Sequence, residues 1–234
     1  MRKPHRVIKL GRLKFALLIF LAFCIVALFF YFFQMYMSGN KFISSNTQDW
    51  GAFGSFVGGV LAPAASLLAG YLVYATLSSS MYQQKIILVR ESIVRLDVIL
   101  EGRFDAPFNN KCFDTEFKCY YGRPLKDIVY AISNGEIMAN DSSKKAFLAL
   151  LHNIAILAKS IEYYIYLLGN LPESENDNNW LGALERSYWI EKYSMICGRL
   201  IAIVGEDSFK GKVSKEQFES FNYILMGTDY PSLS

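Results

Sequence analysis

Charged and apolar positions divide this chain sharply. Phe15 to Met37 is 23 residues without a charge, and from Trp50 the chain runs uncharged as far as Gln84. A helix rises about 1.5 Å per residue, so the first run spans roughly 34 Å, and a bilayer core needs about 20 apolar residues to cross it. The pattern therefore predicts transmembrane helices over 15–37 and 50–77, joined by a short polar connector, 38–49. Beyond Gln84 the pattern becomes amphipathic. Ile86, Ile87, Val89, Ile93, Val94, Leu96 and Leu100 keep one apolar face, with Lys85, Arg90, Glu91, Arg95 and Glu101 on the rest. No Gly or Pro interrupts Tyr71 to Glu101, so the second helix can run on; a turn at Ser78-Ser79-Ser80 is the alternative.

Residues 102–123 are rich in Gly, Pro, Asn and aromatics and predict a loop pinned by its rings, with room for a short strand pair. Pro124 to Ser133 predicts a short helix with Pro at its start, stopped at Asn134-Gly135. Ser142 to Leu168 predicts a long one. In it Phe147, Leu151, Ile154, Ala158, Ile161, Ile165 and Leu168 alternate spacings of four and three, a heptad seam. A third span here is rejected, because His152, Asn153, Lys159 and Glu162 would each lie in lipid at a cost of a few kcal/mol. Leu171 to Asn179 predicts a polar linker. Trp180 to Val204 predicts a helix with Leu181, Leu184, Tyr188, Ile196, Leu200 and Ile203 inward, ended by Gly205. Ser214-x-x-Gln217 predicts a capping box opening a last helix to Met226, with a loose tail after it. The fold class expected is all-α: a two-helix transmembrane hairpin followed by a helical cytosolic domain over 78–234.

Charge sets the orientation. Residues 1–14 form a basic leader with six Lys/Arg and no acid; Lys85, Arg90 and Arg95 follow the second span, and the connector has only Lys41. The positive-inside rule then puts both termini in the cytoplasm and the connector in the periplasm. The first apolar core is longer than a signal peptide's and ends in bulky residues, so it reads as a retained helix, with Tyr31, Phe33 and Tyr36 as an interfacial belt. Of 24 basic and 21 acidic residues, seven basic and one acidic precede residue 81, which leaves the remainder mildly acidic. That excludes broad non-specific nucleic-acid binding.

The second span is unusual for a simple anchor. At helical spacing Gly51, Ser55, Gly58, Ala62, Ser66 and Ala69 fall on one narrow face, and small residues so placed let another helix approach closely in lipid. Gly51, Gly54, Gly58, Gly59 and Pro63 are the residues expected to pack helices or line a pore, with Pro63 favouring a kink. Chemistry is hard to find. There is no P-loop, no GxGxxG after a strand, no HExxH and no GxSxG. Cys112 and Cys119 lack the CxxC pairing of zinc sites, and His152 has no acid or cysteine at ligand spacing, so neither a metal nor a cofactor is expected and no catalytic residue is assigned. Glu101, Arg103 and Asp105 read as a solvated helix end. In the loop, Arg103, Phe104, Lys111, Phe113, Lys118 and Tyr120 are the expected partner contact. Aromatics among basic residues also suit nucleic-acid stacking, and a core-packed loop is the plainer alternative.

Trp50, Phe53, Gly54, Phe56, Gly58, Gly59, Leu61 and Pro63 together resemble a pattern, W-x-x-F-G-x-F-x-G-G-x-L-x-P, of two-span bacterial abortive-infection membrane proteins, the AbiC-like phage-resistance proteins among them. Size, two spans and a helical tail are most similar to the membrane effector of a retron. The resemblance implies an effector held silent by a partner complex and released to damage the inner membrane. The partner would be a reverse transcriptase with its multicopy single-stranded DNA. A membrane anchor that recruits a cytosolic partner without toxicity is the alternative.

Overall fold

The computed structural model describes residues 10–37, 47–107, 122–139, 141–170 and 175–228. These form seven α-helices: α1 Leu10–Met37, α2 Thr47–Asp105, α3 Leu125–Ser133, α4 Asp141–Gly169, α5 Glu175–Val204, α6 Glu206–Lys210 and α7 Lys215–Leu225. Among the described residues the sole extended pairing is a single bridge between Pro107 and Pro124. The all-α expectation holds. Three helices, α1, α2 and α4, are long and apolar enough to span a membrane. Residues 1–9 of the basic leader and 38–46 of the connector lie outside the described residues, as do 108–121, 140, 171–174 and 229–234.

The chain divides into two compact units, Met1–Gln84 and Lys85–Ser234. In the first, α1 leaves most of its bulk uncovered: Phe15, Leu18, Val26, Phe29, Phe30 and Phe32 are all more than 60% exposed. Its covered positions among those described are Ala16, Phe20, Cys24, Ala27, Leu28 and Tyr31, which share one side of the helix. Tyr31 packs on Phe53 (4.9 Å between ring centroids) and Phe56 (5.1 Å) of α2. It is therefore a helix-packing residue, while Tyr36, expected beside it in an interfacial belt, is 63% exposed. No turn interrupts α2 at Ser78-Ser79-Ser80, and the helix is continuous to Asp105.

The second unit is built on α4. Phe147, Leu151, Ile154, Ala158 and Ile161 of its heptad seam are fully buried, and α5, α6 and α7 pack around it. This α4 meets the length and composition of a span, yet its apolar face is taken up by the core, and Lys159 and Glu162 pair on its side at 2.9 Å. Gly182 of α5 lets the two helices close: a Cβ there would sit 3.0 Å from Ile165 Cγ2. Beyond Lys85, α2 contributes Ile93, Leu100 and Phe104 to the same core. Gly135 (φ 76°) follows the end of α3, and Gly205 (φ 88°) separates α5 from α6, both in the left-handed region that glycine adopts without steric cost. The capping box at Ser214 is present with both of its bonds, Ser214 Oγ accepting from Gln217 N and Gln217 Oε1 from Ser214 N.

Two expectations for α5 differ from the structure. The helix expected from Trp180 begins at Glu175, inside the stretch 171–179 expected as a linker. Of its expected inward face Leu200 is buried and Leu181, Ile196 and Ile203 are partly covered, but Leu184 and Tyr188 are 57% and 53% exposed, and Trp189, Tyr193 and Cys197 are buried in their place. Between Gly205 and Ser214 the chain forms α6, which holds Phe209, fully buried against the Phe221 ring at 4.9 Å.

Candidate functional site

The resembling motif on α2 has two sides. At 100° per residue, Phe53, Phe56, Val60, Ala64, Leu68 and Tyr71 share one side, and all are half-buried. Phe53 and Phe56 supply the rings that meet Tyr31. Gly51, Ser55, Gly58, Ala62, Ser66 and Ala69 lie on the opposite side and are exposed. A Cβ placed on Gly51, Gly54, Gly58 or Gly59 would meet nothing within 4 Å. The chain thus spends its aromatic side on α1 and leaves its small-residue side without a partner helix. Trp50, 51% exposed, stands edge-on to Phe53 at 6.1 Å; Leu61 is half-buried and Pro63 exposed.

Two hydroxyls of this segment bond within their own helix. Ser66 Oγ donates to Ala62 O and Thr76 Oγ1 to Leu72 O, each at 2.9 Å. Such i−4 bonds satisfy a hydroxyl inside its own helix, which is what an apolar surrounding requires. Pro63 has no N–H, so the Gly59 carbonyl lacks its helical donor. That carbonyl sits among glycines, where backbone is least shielded by side chains.

The distal part of α2 is fastened by charge. Lys192 Nζ lies 2.6 Å from Asp97 and 2.7 Å from Glu101, and Tyr193 donates its hydroxyl to the other Asp97 oxygen at 2.6 Å. Lys126 holds Asp105 at 2.6 Å. Glu101, Arg103 and Asp105 are exposed, as expected of a solvated helix end, and Glu101 and Asp105 also form ion pairs with α5 and α3. Burial works against the Lys192 ammonium, but its bonds to Asp97 and Glu101 outweigh that and raise its pKa. Burial first, then the Asp97 bond, pushes the Tyr193 hydroxyl well above its usual range.

Of the expected partner contacts, Arg103 is exposed and Phe104 is buried in the core, where it has no surface to offer. Lys111, Phe113, Lys118 and Tyr120 lie outside the described residues, as do Cys112 and Cys119. His152 is half-buried and its Nδ1 is buried without a hydrogen-bond partner among the described residues. Cys197 is fully buried, and burial pushes its thiol up, which makes it a packing residue and not a nucleophile. Among the described residues no three His, Cys, Asp or Glu side chains are grouped to hold a metal ion. What sequence reasoning missed is the Asp97–Lys192–Tyr193 bridge. Its signal was an acid on the inner edge of one amphipathic helix and a Lys-Tyr pair beside the buried side of another. No protein-family model, curated protein or solved structure matches this chain.

Proposed function

We propose that this chain is a non-enzymatic membrane effector of a bacterial anti-phage abortive-infection system, of the retron kind that the motif resembles. In this reading 15–37 and 50–77 cross the inner membrane and both termini are cytoplasmic. The helical domain binds an inhibitory complex of reverse transcriptase and multicopy single-stranded DNA. Release lets the spans associate with those of other copies and breach the bilayer. The observation that carries the reading is the open side of α2: glycines that meet nothing, on a helix whose Ser66 and Thr76 hydroxyls are satisfied internally. In lipid, a small-residue side lets backbones approach closely, and that is how helices without a hydrophobic driving force associate.

The alternative is a harmless anchor that recruits a cytosolic partner, and the exposed Leu184, Tyr188 and Met195 of the domain favour it. Replacing both spans with an unrelated helical hairpin separates the two. The effector reading predicts loss of toxicity with the domain's binding retained. Toxicity that survives the exchange removes the spans from the mechanism.

A further inference from the structure

The end of the α1–α2 pair that carries Lys14 holds charge that the proposed association of spans does not use. Tyr31 is six residues before the end of α1, and Phe53, on which it packs, is six residues after the start of α2. Two consecutive helices so paired run antiparallel. At about 1.5 Å per residue, Lys14 lies roughly 26 Å from Tyr31 along α1, which is the level of Tyr71 on α2. By the same measure Tyr36 lies at the level of Trp50.

Aromatic residues with a polar tip therefore stand at two levels of the pair. Trp50 and Tyr36, both exposed, mark one; half-buried Tyr71 and exposed Tyr74 mark the other. Tyr31, between them, is spent on its contact with Phe53 and Phe56. The two levels are about 32–36 Å apart along α2, a little more than a hydrocarbon core of about 30 Å. Tyr and Trp collect where hydrocarbon meets headgroups. Lys14 thus stands at the level of one headgroup layer.

Charge at this level has one sign. Residues 1–14 hold Arg2, Lys3, Arg6, Lys9, Arg12 and Lys14 and no acid. Lys14 is exposed and forms no ion pair among the described residues. Nothing on the facing helix neutralises this charge, since Trp50 to Gln84 carries none. The one acid within residues 1–84, Asp49, lies at the other aromatic level, roughly 33 Å away.

We propose that Lys14 and the basic residues ahead of it bind the phosphate groups of anionic phospholipids in the cytoplasmic leaflet, at the level that Tyr71 and Tyr74 mark. Lys and Arg give charge-assisted hydrogen bonds to phosphate oxygens, and Arg can give two at once. A cluster of about four to eight such residues beside a span is drawn to the negative potential of that leaflet, which fades within a Debye length of about 8–10 Å. Single-stranded nucleic acid carries similar phosphates. The leader, however, is tied to a helix that is apolar from Phe15 onward, so lipid phosphate is within its reach whether or not a partner is bound. The proposal deepens the effector reading by naming the lipid class that holds the pair at its depth, and it rests on that reading for the two spans.

The test uses the full chain in nanodiscs of phosphatidylcholine alone, or of phosphatidylcholine and phosphatidylglycerol in equal parts. Cys24, Cys112 and Cys119 are replaced, fully buried Cys197 is kept, and Val7→Cys carries a fluorophore quenched by acrylamide, which is neutral. Quenching should be about threefold weaker or more with phosphatidylglycerol at about 0.1 M salt, and the difference should vanish at about 1 M salt, where the Debye length is about 3 Å. Arg6→Gln with Lys9→Gln and Arg12→Gln should abolish it at the lower salt. Quenching indifferent to phosphatidylglycerol overturns the proposal, as does protection that survives high salt or the triple variant. A single-stranded oligonucleotide that protects the leader on phosphatidylcholine discs as well as phosphatidylglycerol does gives the leader to nucleic acid, and that also overturns it. Alkaline carbonate extraction of cell membranes reads the spans separately. A chain washed out fails the transmembrane reading and, with it, the level assigned here; a chain retained but indifferent to phosphatidylglycerol keeps that reading and fails this proposal alone.

Discussion

Replacing Asp97 with Ala tests how the domain holds α2. The carboxylate accepts from Lys192 Nζ and from the Tyr193 hydroxyl, both at 2.6 Å, and only 14% of its side chain is exposed. Tyr193 is 2% exposed, so its hydroxyl would be left buried with no acceptor from Asp97. An unsatisfied buried donor costs about 1–3 kcal/mol, and a hydrogen bond to a charged group contributes about 1.5–3 kcal/mol. Lys192 keeps Glu101, which recovers part of the second figure. The expected loss is about 2–4 kcal/mol. Tyr193→Phe removes donor and need together and should cost about 1 kcal/mol. The order of the two variants therefore tests the reasoning as much as either size. Denaturant unfolding of the full chain in detergent, followed by fluorescence, gives both values; Trp189, 6.1 Å from the Tyr193 ring, reports locally. A loss below about 1 kcal/mol for Asp97→Ala, or a larger one for Tyr193→Phe, refutes the account of the bridge.

Three further outcomes follow from the domain. Lys192 and Tyr193 both have raised pKa values in the fold, so the stability they give is full below their unfolded values, about 10.4 and 10. It is lost as pH rises beyond them: the unfolding midpoint should be flat from pH 7 to about 9 and fall above 10, and Lys192→Met with Tyr193→Phe should blunt that fall. Ser214→Ala removes one half of a capping box and should cost about 1 kcal/mol in the same assay, with no change in the helix content read by circular dichroism away from α7. Gly182→Leu puts bulk where a Cβ alone lies 3.0 Å from Ile165, and should destabilise by about 1–3 kcal/mol through overpacking, read as a lowered unfolding midpoint.

Elements were legible where pattern and punctuation agreed. The heptad seam of α4 is buried from Phe147 to Leu168 except at partly covered Ile165, because apolar residues at alternating spacings of four and three leave one way to turn the helix. Ser214-x-x-Gln217 and Gly205 marked their boundaries through local bonds and a positive φ, neither of which needs tertiary context. The orientation of α5 was legible only in part. Leu200 is buried and Leu181, Ile196 and Ile203 are partly covered as expected, but Leu184 and Tyr188 were given core that Trp189, Tyr193 and Cys197 occupy. Those three bury a large apolar body, and the Tyr193 hydroxyl needs an acceptor, Asp97, that lies 96 residues away in sequence. Such a long-range partner is invisible to periodicity. The small residues of α2 share an exposed side of the helix, and how that side relates to α1 could not be read from periodicity. Tyr31 engages Phe53 and Phe56, and the glycines are left open.

The central claim concerns that open face, and the most direct measurement is membrane integrity. Cells expressing the chain would be followed with a potential-sensitive dye and propidium, beside cells expressing Gly58→Leu with Gly59→Leu at equal level in the membrane fraction. The account predicts rapid depolarisation and dye entry with the natural sequence and neither with the leucine variant, whose side chains fill the space a second helix needs. An intact potential with the natural sequence, or equal depolarisation by the leucine variant, contradicts it.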